Sequence, residues 1–250
     1  MEYIEKFIEI KRGPIPIILT VPHGGTLEPK GIPIRTAGIL GVDKGTIELA
    51  REFISYLKLE SEIKKNVLNS PSYFMSKIKR SQIDFNRSET EAYHKNSEIA
   101  RIIYQYFHKK VNEFILENLQ FFNYSLLIDI HGFEKHKRPQ GFRDVELVLG
   151  TNNLASLFPN PVSSEDSGIN IRGKIIKKFS KLGIPIAPSH PTRKEYILTG
   201  GFIIQNYGAS NIPGSQAMQI EFSDRIRLYD EEFKIKVLKA LSEVLLNHIK

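Results

Sequence analysis

Two apolar runs in this chain end in the same way. Ile15 to Val21 stops at Pro22-His23-Gly24, and Ser125-Leu-Leu-Ile-Asp-Ile130 stops at His131-Gly132. Short β-branched runs bounded by turn residues read as buried strands. Further strands are expected at Lys64–Leu68, within Tyr73–Ile78, and at Val145–Leu149, Ile184–Ala187 and Ala217–Phe222. Between them, Ile47, Ala50, Ile54 and Leu57 recur with helical spacing. So do Ile99 to Ile115, Ile169 to Leu182 (with Gly183 as its stop) and Asp230 to Ile249. Strands alternating with helices predict an α/β fold with a mixed, mostly parallel sheet. No repeat or linker divides the chain, so residues 1–250 are expected to form a single domain. Thr151 to Asp166, rich in Asn, Pro and Ser, reads as a surface loop.

The chemistry follows from where the polar residues stand. In open α/β sheets, ligands bind outside the carboxyl ends of the strands. His23 and His131 both sit at such ends, where each reads as a turn residue or as a ligand. Asp43 lies where the helix after the first His loop would be capped, and it is a cap or a third ligand. Two imidazoles and one carboxylate form an open metal set of the catalytic zinc type, although the same donors suit Fe(II) and other ions. Asp129 precedes His131 by two residues, so strand alternation puts both on one face. It reads as a partner orienting the imidazole or as a satisfied buried acid. Glu221 interrupts an apolar run, Ala217-Met-Gln-Ile-Glu-Phe222. A carboxylate there suits a general base. Asp84, Asn86 and Arg87 stand together in Arg80-Ser-Gln-Ile-Asp-Phe-Asn-Arg87. Asp84 and Arg87 are spaced for a surface ion pair, while Asn86 and Arg87 suit a substrate carboxylate. The glycines beside His23 read as room for metal, water and substrate against the backbone.

Composition narrows the classes. The 250 residues contain no cysteine, which rules out disulfides, thiolate metal sites and cysteine nucleophiles. No P-loop, G-x-S-x-G or H-E-x-x-H motif occurs. The net charge of +7 is scattered along the chain. It suits attraction of an anionic small substrate. A basic nucleic-acid-binding module is the rival class, but no RRM-like or helix-turn-helix signature supports it. The amino terminus lacks a signal-peptide pattern and no run is long enough to span a bilayer, so a cytoplasmic protein without membrane partners is expected. The sequence leaves the oligomeric state open.

These residues together resemble the N-formylglutamate amidohydrolase family, within the zinc carboxypeptidase-like hydrolases. The similar pieces are Val21–Gly25 (VPHGG), Gly41–Asp43 (GVD), Ile83–Arg87 (IDFNR), Leu127–Gly132 (LIDIHG), Thr199–Gly208 (TGGFIIQNYG) and Ala217–Tyr229 (AMQIEFSDRIRLY). The resemblance implies a central mixed sheet flanked by helices on both faces. It implies one zinc ion held by His23, Asp43 and His131, Glu221 as general base, and Asn86-Arg87 holding a substrate carboxylate. The implied reaction is cleavage of a small anionic N-acyl amino acid; a carboxypeptidase-like or cell-wall-type peptide amidase is the alternative on the same centre. Arg80, Arg143 and Arg193 are further candidates for the anion pocket or the oxyanion. The chain departs from the family pattern at Gln205-Asn206, at Ser223-Asp224-Arg225 and in the loop Ser189–Arg193, and its acyl group and amino acid are left open.

Overall fold

The computed structural model describes residues 2–65, 69–138, 144–160 and 168–249. Its strands are β1 (Ile8–Lys11), β2 (Ile17–Val21), β3 (Ser72–Ser76), β4 (Ser125–Phe133), β5 (Leu147–Gly150), β6 (Ile186–Ala187) and β7 (Ser215–Ser223). They form one seven-stranded sheet in the order β1-β3-β2-β4-β7-β5-β6. The pairs β2–β3, β2–β4, β4–β7 and β5–β6 are parallel, and β1–β3 and β5–β7 are antiparallel. The expected mixed, mostly parallel α/β fold is therefore present. The central strands β2 and β4 are buried almost throughout.

The helices are α1 (Glu2–Glu5), α2 (Thr46–Lys65), α3 (Glu89–Ala92), α4 (Glu98–Phe122), α5 (Ile171–Lys181), α6 (Phe202–Tyr207) and α7 (Glu231–His248). Alternation along the strands builds a core on each face. Leu19, Leu126, Ile128, Ile130, Ile220 and Phe222 pack on one face with α2, α5 and α7. Ile18, Phe74, Leu127 and Ala217 pack on the other with α4 and α6. The helix ends follow local chemistry. Ser97 accepts a bond from the Ala100 N–H at 3.3 Å to start α4, and Asn123, left-handed at φ 55°, closes it. Asn170 caps α5, and Gly183, at φ 67°, follows its end.

Three expectations need correction or limits. Lys64 lies in helix α2 rather than in a strand, and residues 66–68 fall outside the described residues. The strand expected from Val145 begins only at Leu147, because the Glu146 N–H already bonds to Pro185. Of the Thr151–Asp166 loop, only the part up to Asn160 is described. No described helix is long and apolar enough to cross a membrane.

On the α4 face, the half-buried His108 packs against the rings of Tyr104, Phe107 and Phe202, with Nδ1 2.8 Å from the Tyr207 hydroxyl. Burial pushes its pKa down to about 3. The unfolded ring, with an ordinary pKa near 6.5, takes up a proton that the folded ring refuses until about pH 3. Stability is therefore full above about pH 6.5 and falls as pH drops toward 3, by roughly 5 kcal/mol from this residue. Denaturant unfolding of His108→Leu across that window should show a flatter acid slope than the parent. An unchanged slope would remove His108 as a source of acid sensitivity.

Candidate metal centre

Strand register assembles the site. In the long parallel ladder between β4 and β7, His131 pairs with Glu221 and Asp129 with Gln219. On the other side of β4, Thr20 pairs with Asp129. Partners across a ladder project to the same face, here the α4 face, because Ile128, Ile130, Ile220 and Phe222 take the opposite core. His23 follows β2 directly and brings a second imidazole to the same end.

The two rings meet edge to face with centroids 4.7 Å apart. Each is gripped by a buried acid. Asp129 Oδ2 lies 2.7 Å from His131 Nε2, and the Thr20 hydroxyl donates to Asp129 Oδ1 at 2.6 Å. Asp84 Oδ1 lies 2.6 Å from His23 Nε2. With both Nε2 atoms committed to carboxylates, the Nδ1 atoms face each other at 3.1 Å. Asp43 Oδ2 stands 3.6 Å from His23 Nδ1 and 3.3 Å from His131 Nδ1. Among the described residues, these three side chains form the one group whose ligand atoms converge as a metal site requires.

The donor set fits a cation. If each Nε2 carries the hydrogen given to its carboxylate, both Nδ1 atoms present lone pairs across 3.1 Å, which repel unless a positive charge lies near them. The electrostatics agree. Burial would raise the Asp43 pKa, but bonds to His131 and His23 hold it far below the ordinary range. Burial would make His131 neutral, but Asp129 raises its pKa well above the ordinary value.

Asp43 does not cap α2. The helix begins at Thr46, and the Asp43 carboxylate turns to the site and accepts the Gly132 N–H at 3.1 Å. The glycines beside His23 also need a different reason. A Cβ on Gly24 would strike Thr46 and Ile47, and one on Gly25 would strike the backbone at Lys77 and Ile78. They let the loop pack against its own neighbours rather than admit a ligand.

Glu221 is buried and 8% exposed. Burial and the Asp43 charge push its pKa up, while His131 opposes them. Gln219 Nε2 donates to Glu221 Oε1 at 2.8 Å. Gln219 Oε1 in turn accepts the Gly201 N–H at 2.8 Å, and Asn86 Nδ2 lies 3.5 Å from it. Asn86 Oδ1 accepts the Ile203 N–H at 2.8 Å. A Cβ on Gly201 would collide with the Asn86 amide, so the Gly200-Gly201 turn is built around that side chain. Arg87 has a partly exposed side chain, 3.9 Å from Asp84, and lines a cleft of about 480 Å³ with Arg35, Tyr93, His94 and Lys95. Arg80 pairs with Asp84 at 2.9 Å and approaches Asp43 at 3.8 Å. Arg193 donates to Ser189 at 3.2 Å and lines a separate cavity with Val148 and Ala187. Arg143 is outside the described residues.

Several participants escaped the sequence reading. Asp84 is fully buried rather than part of a surface pair, and Arg35 Nη2 reaches it at 3.3 Å. Its signal was the apolar flank: Ile83 and Phe85 are both core residues. Thr20 and Gln219 were legible only as polar interruptions of apolar strands. Arg227, buried, donates to the carbonyls of Phe222, Phe133 and Lys44 and so ties the ends of β7 and β4 to the Asp43 loop.

No protein-family profile and no curated protein matches the chain. Among solved structures, it is similar to an N-formylglutamate amidohydrolase from Ralstonia eutropha JMP134, with a TM-score of 0.65 and 14% identity over 97% of each chain. It is also similar to a gene product of Agrobacterium tumefaciens, with a TM-score of 0.58 and 15% identity over 100% of this chain and 95% of that one. Over nearly its whole length, the chain has the fold of the N-formylglutamate amidohydrolase structure.

Proposed function

We propose that this protein is a zinc-dependent amidohydrolase that cleaves a small, carboxylate-bearing N-acyl amino acid. The observation that carries this reading is the pair of imidazoles, each tied to a buried carboxylate through Nε2 and presenting Nδ1 beside Asp43. The ion would be held by His23 Nδ1, His131 Nδ1 and Asp43 Oδ2, and when bound it supplies Lewis acidity to the scissile carbonyl and to the attacking water. The fold likeness to an amidohydrolase supports the same class by analogy.

The remaining steps belong to side chains of the chain itself. Glu221 accepts a proton from the attacking water and delivers it to the leaving nitrogen. Its raised pKa suits both halves of that task, since a very weak base would accept poorly. The Gln219 amide fixes one carboxylate oxygen and so orients the other. Arg87 receives the substrate carboxylate, with Asn86 beside it. The hydrogen bond from Ile203 to Asn86 Oδ1 keeps that amide turned so that Nδ2 points toward the Gln219–His131 side of the site.

Zinc titration tests the ligand set. His23→Ala and His131→Ala should lose stoichiometric binding. Asp84→Asn and Asp129→Asn should weaken it roughly 10- to 100-fold in a chelator competition. Unchanged zinc content in both histidine variants would sink the assignment. For the base, Glu221→Gln should keep its metal and lose about 10²- to 10⁴-fold in kcat; turnover at the parent rate would refute the role. Arg87→Met should raise KM for N-acyl amino acids roughly 10- to 100-fold and leave the carboxamide-capped analogues unaffected. Equal effects on both substrate types would show that Arg87 does not read the carboxylate.

A further inference from the structure

The row of residues that holds His131 and Glu221 does not stop at β7. In the antiparallel pair β5–β7, Glu221 is matched by Val148, and in the parallel pair β5–β6, Val148 is matched by Ala187. His131, Glu221, Val148 and Ala187 thus form one lateral row across four neighbouring strands, all on the same face. With strands about 4.8 Å apart, Val148 sits one strand from the proposed base and Ala187 two.

This end of the face is not filled by a described helix. Helices α4 and α6 lie over β3, β4 and β7. Beyond them, over β5 and β6, is a cavity of about 540 Å³ floored by Val145, Val148, Ala187 and Pro188, with the exposed Arg193, Lys194 and Tyr196 at its rim. Arg138, stacked 4.8 Å over the Phe133 ring, lines the same cavity. The cavity therefore adjoins the proposed base through the strand row.

The far wall is held firmly. Glu195 is buried, accepts the N–H groups of Thr151 at 2.8 Å and Asn153 at 3.0 Å, and pairs with Arg172 at 3.3 Å. Tyr196 follows it and is 75% exposed. Ile197 is a β-branched residue in the left-handed region at φ 62°, and the Leu198 N–H bonds back to the Tyr196 carbonyl at 2.6 Å. A tight turn of this kind is strained, and strain of this kind collects where a side chain must be presented. Here the presented side chain is an aromatic ring at the mouth of an apolar cavity.

Sheet order assigns the two flanks of the site. The Arg35–Arg87 cleft belongs to the segment after β3 that brings Asp84 to His23, and the other cavity lies over β5 and β6. A substrate whose carboxylate lies at Arg87 and whose scissile bond lies over β4 and β7 extends its acyl portion toward Val148 and Ala187. We infer that this cavity receives the acyl group of the substrate, and that the group is an extended aliphatic or aromatic one rather than formyl. The inference rests on the amidohydrolase reading above and adds the substrate class to it. A formyl group would leave the cavity empty, and a cavity of this size matches pockets that enclose much larger ligands.

The test uses the zinc-loaded full chain and a series of N-acyl-L-glutamates: formyl, acetyl, butyryl, hexanoyl, phenylacetyl and succinyl. We expect kcat/KM to rise about three- to fourfold per methylene from acetyl to hexanoyl, with succinyl well below hexanoyl. Ala187→Phe, which fills the cavity, should abolish the rise while sparing the acetyl substrate. Tyr196→Ala, at an exposed position that folding does not depend on, should flatten it. A flat or falling series, or a succinyl optimum, overturns the apolar acyl pocket and leaves the hydrolase reading standing. If no member is cleaved, N-acyl-L-glutamates are not its substrates, and calorimetric binding of N-hexanoyl-L-glutamate decides the cavity separately. Saturable binding weakened at least fivefold by Ala187→Phe upholds it as an apolar acyl site, and absent binding overturns it.

Discussion

The site depends on two buried carboxylates that grip imidazoles from behind. Asp129 and Asp84 are both fully buried, and each spends one oxygen on an Nε2 atom. An isolated carboxylate in such surroundings would be very costly. Here each is held by several partners: Thr20 for Asp129, and Arg80, Arg35 and the Asn86 N–H for Asp84. Removing one partner from such an arrangement typically costs about 3–5 kcal/mol, because a charge is left buried alone. The pairing fixes which nitrogen of each ring faces the centre. Every later feature, from the position of Asp43 to the reach of Glu221, is set relative to that choice.

Positive charge is distributed around the centre in two roles. Arg80 and Arg35 are spent on Asp84, and Arg227 on backbone carbonyls. They hold the frame of the centre. Arg87 is different, because it stands at the edge with much of its side chain open to a cleft. The net charge of +7 is therefore a poor guide to ligand binding by itself. Burial and partners determine which of these cations is available.

Much of the site was legible in the sequence because strands announce themselves. His131, Asp129 and Glu221 lie in regular ladders, where a period of two fixes the face and a run of Ile and Leu fixes the depth. His23 was legible for the same reason, as the residue just past a buried strand. Asp84 was not, because it lies in an irregular segment with no period to give its direction. Only its burial shows that it serves His23 rather than Arg87. Asp43 was placed in the right neighbourhood for a partly wrong reason: the helix starts two residues later than a cap at Asp43 would give. Strands β5 and β6, at the far end of the sheet, are so short that their existence was legible but their register was not. That register carries the link between Glu221 and the cavity.

The ladder between β4 and β7 also has a consequence for how the molecule is made. Its partners are far apart in the chain, and nothing local prefers one alignment over the next. A slip by a single residue would turn Glu221 and Gln219 into the α5–α7 core and expose Ile220 in their place. Such a slip would bury charge against Ile176 and Phe179, so the misaligned sheet is penalised by the polar residues of the candidate site. The polar groups of the centre thereby act as a proofreading device for strand alignment, and a chain stripped of them would lose a guide to its own assembly.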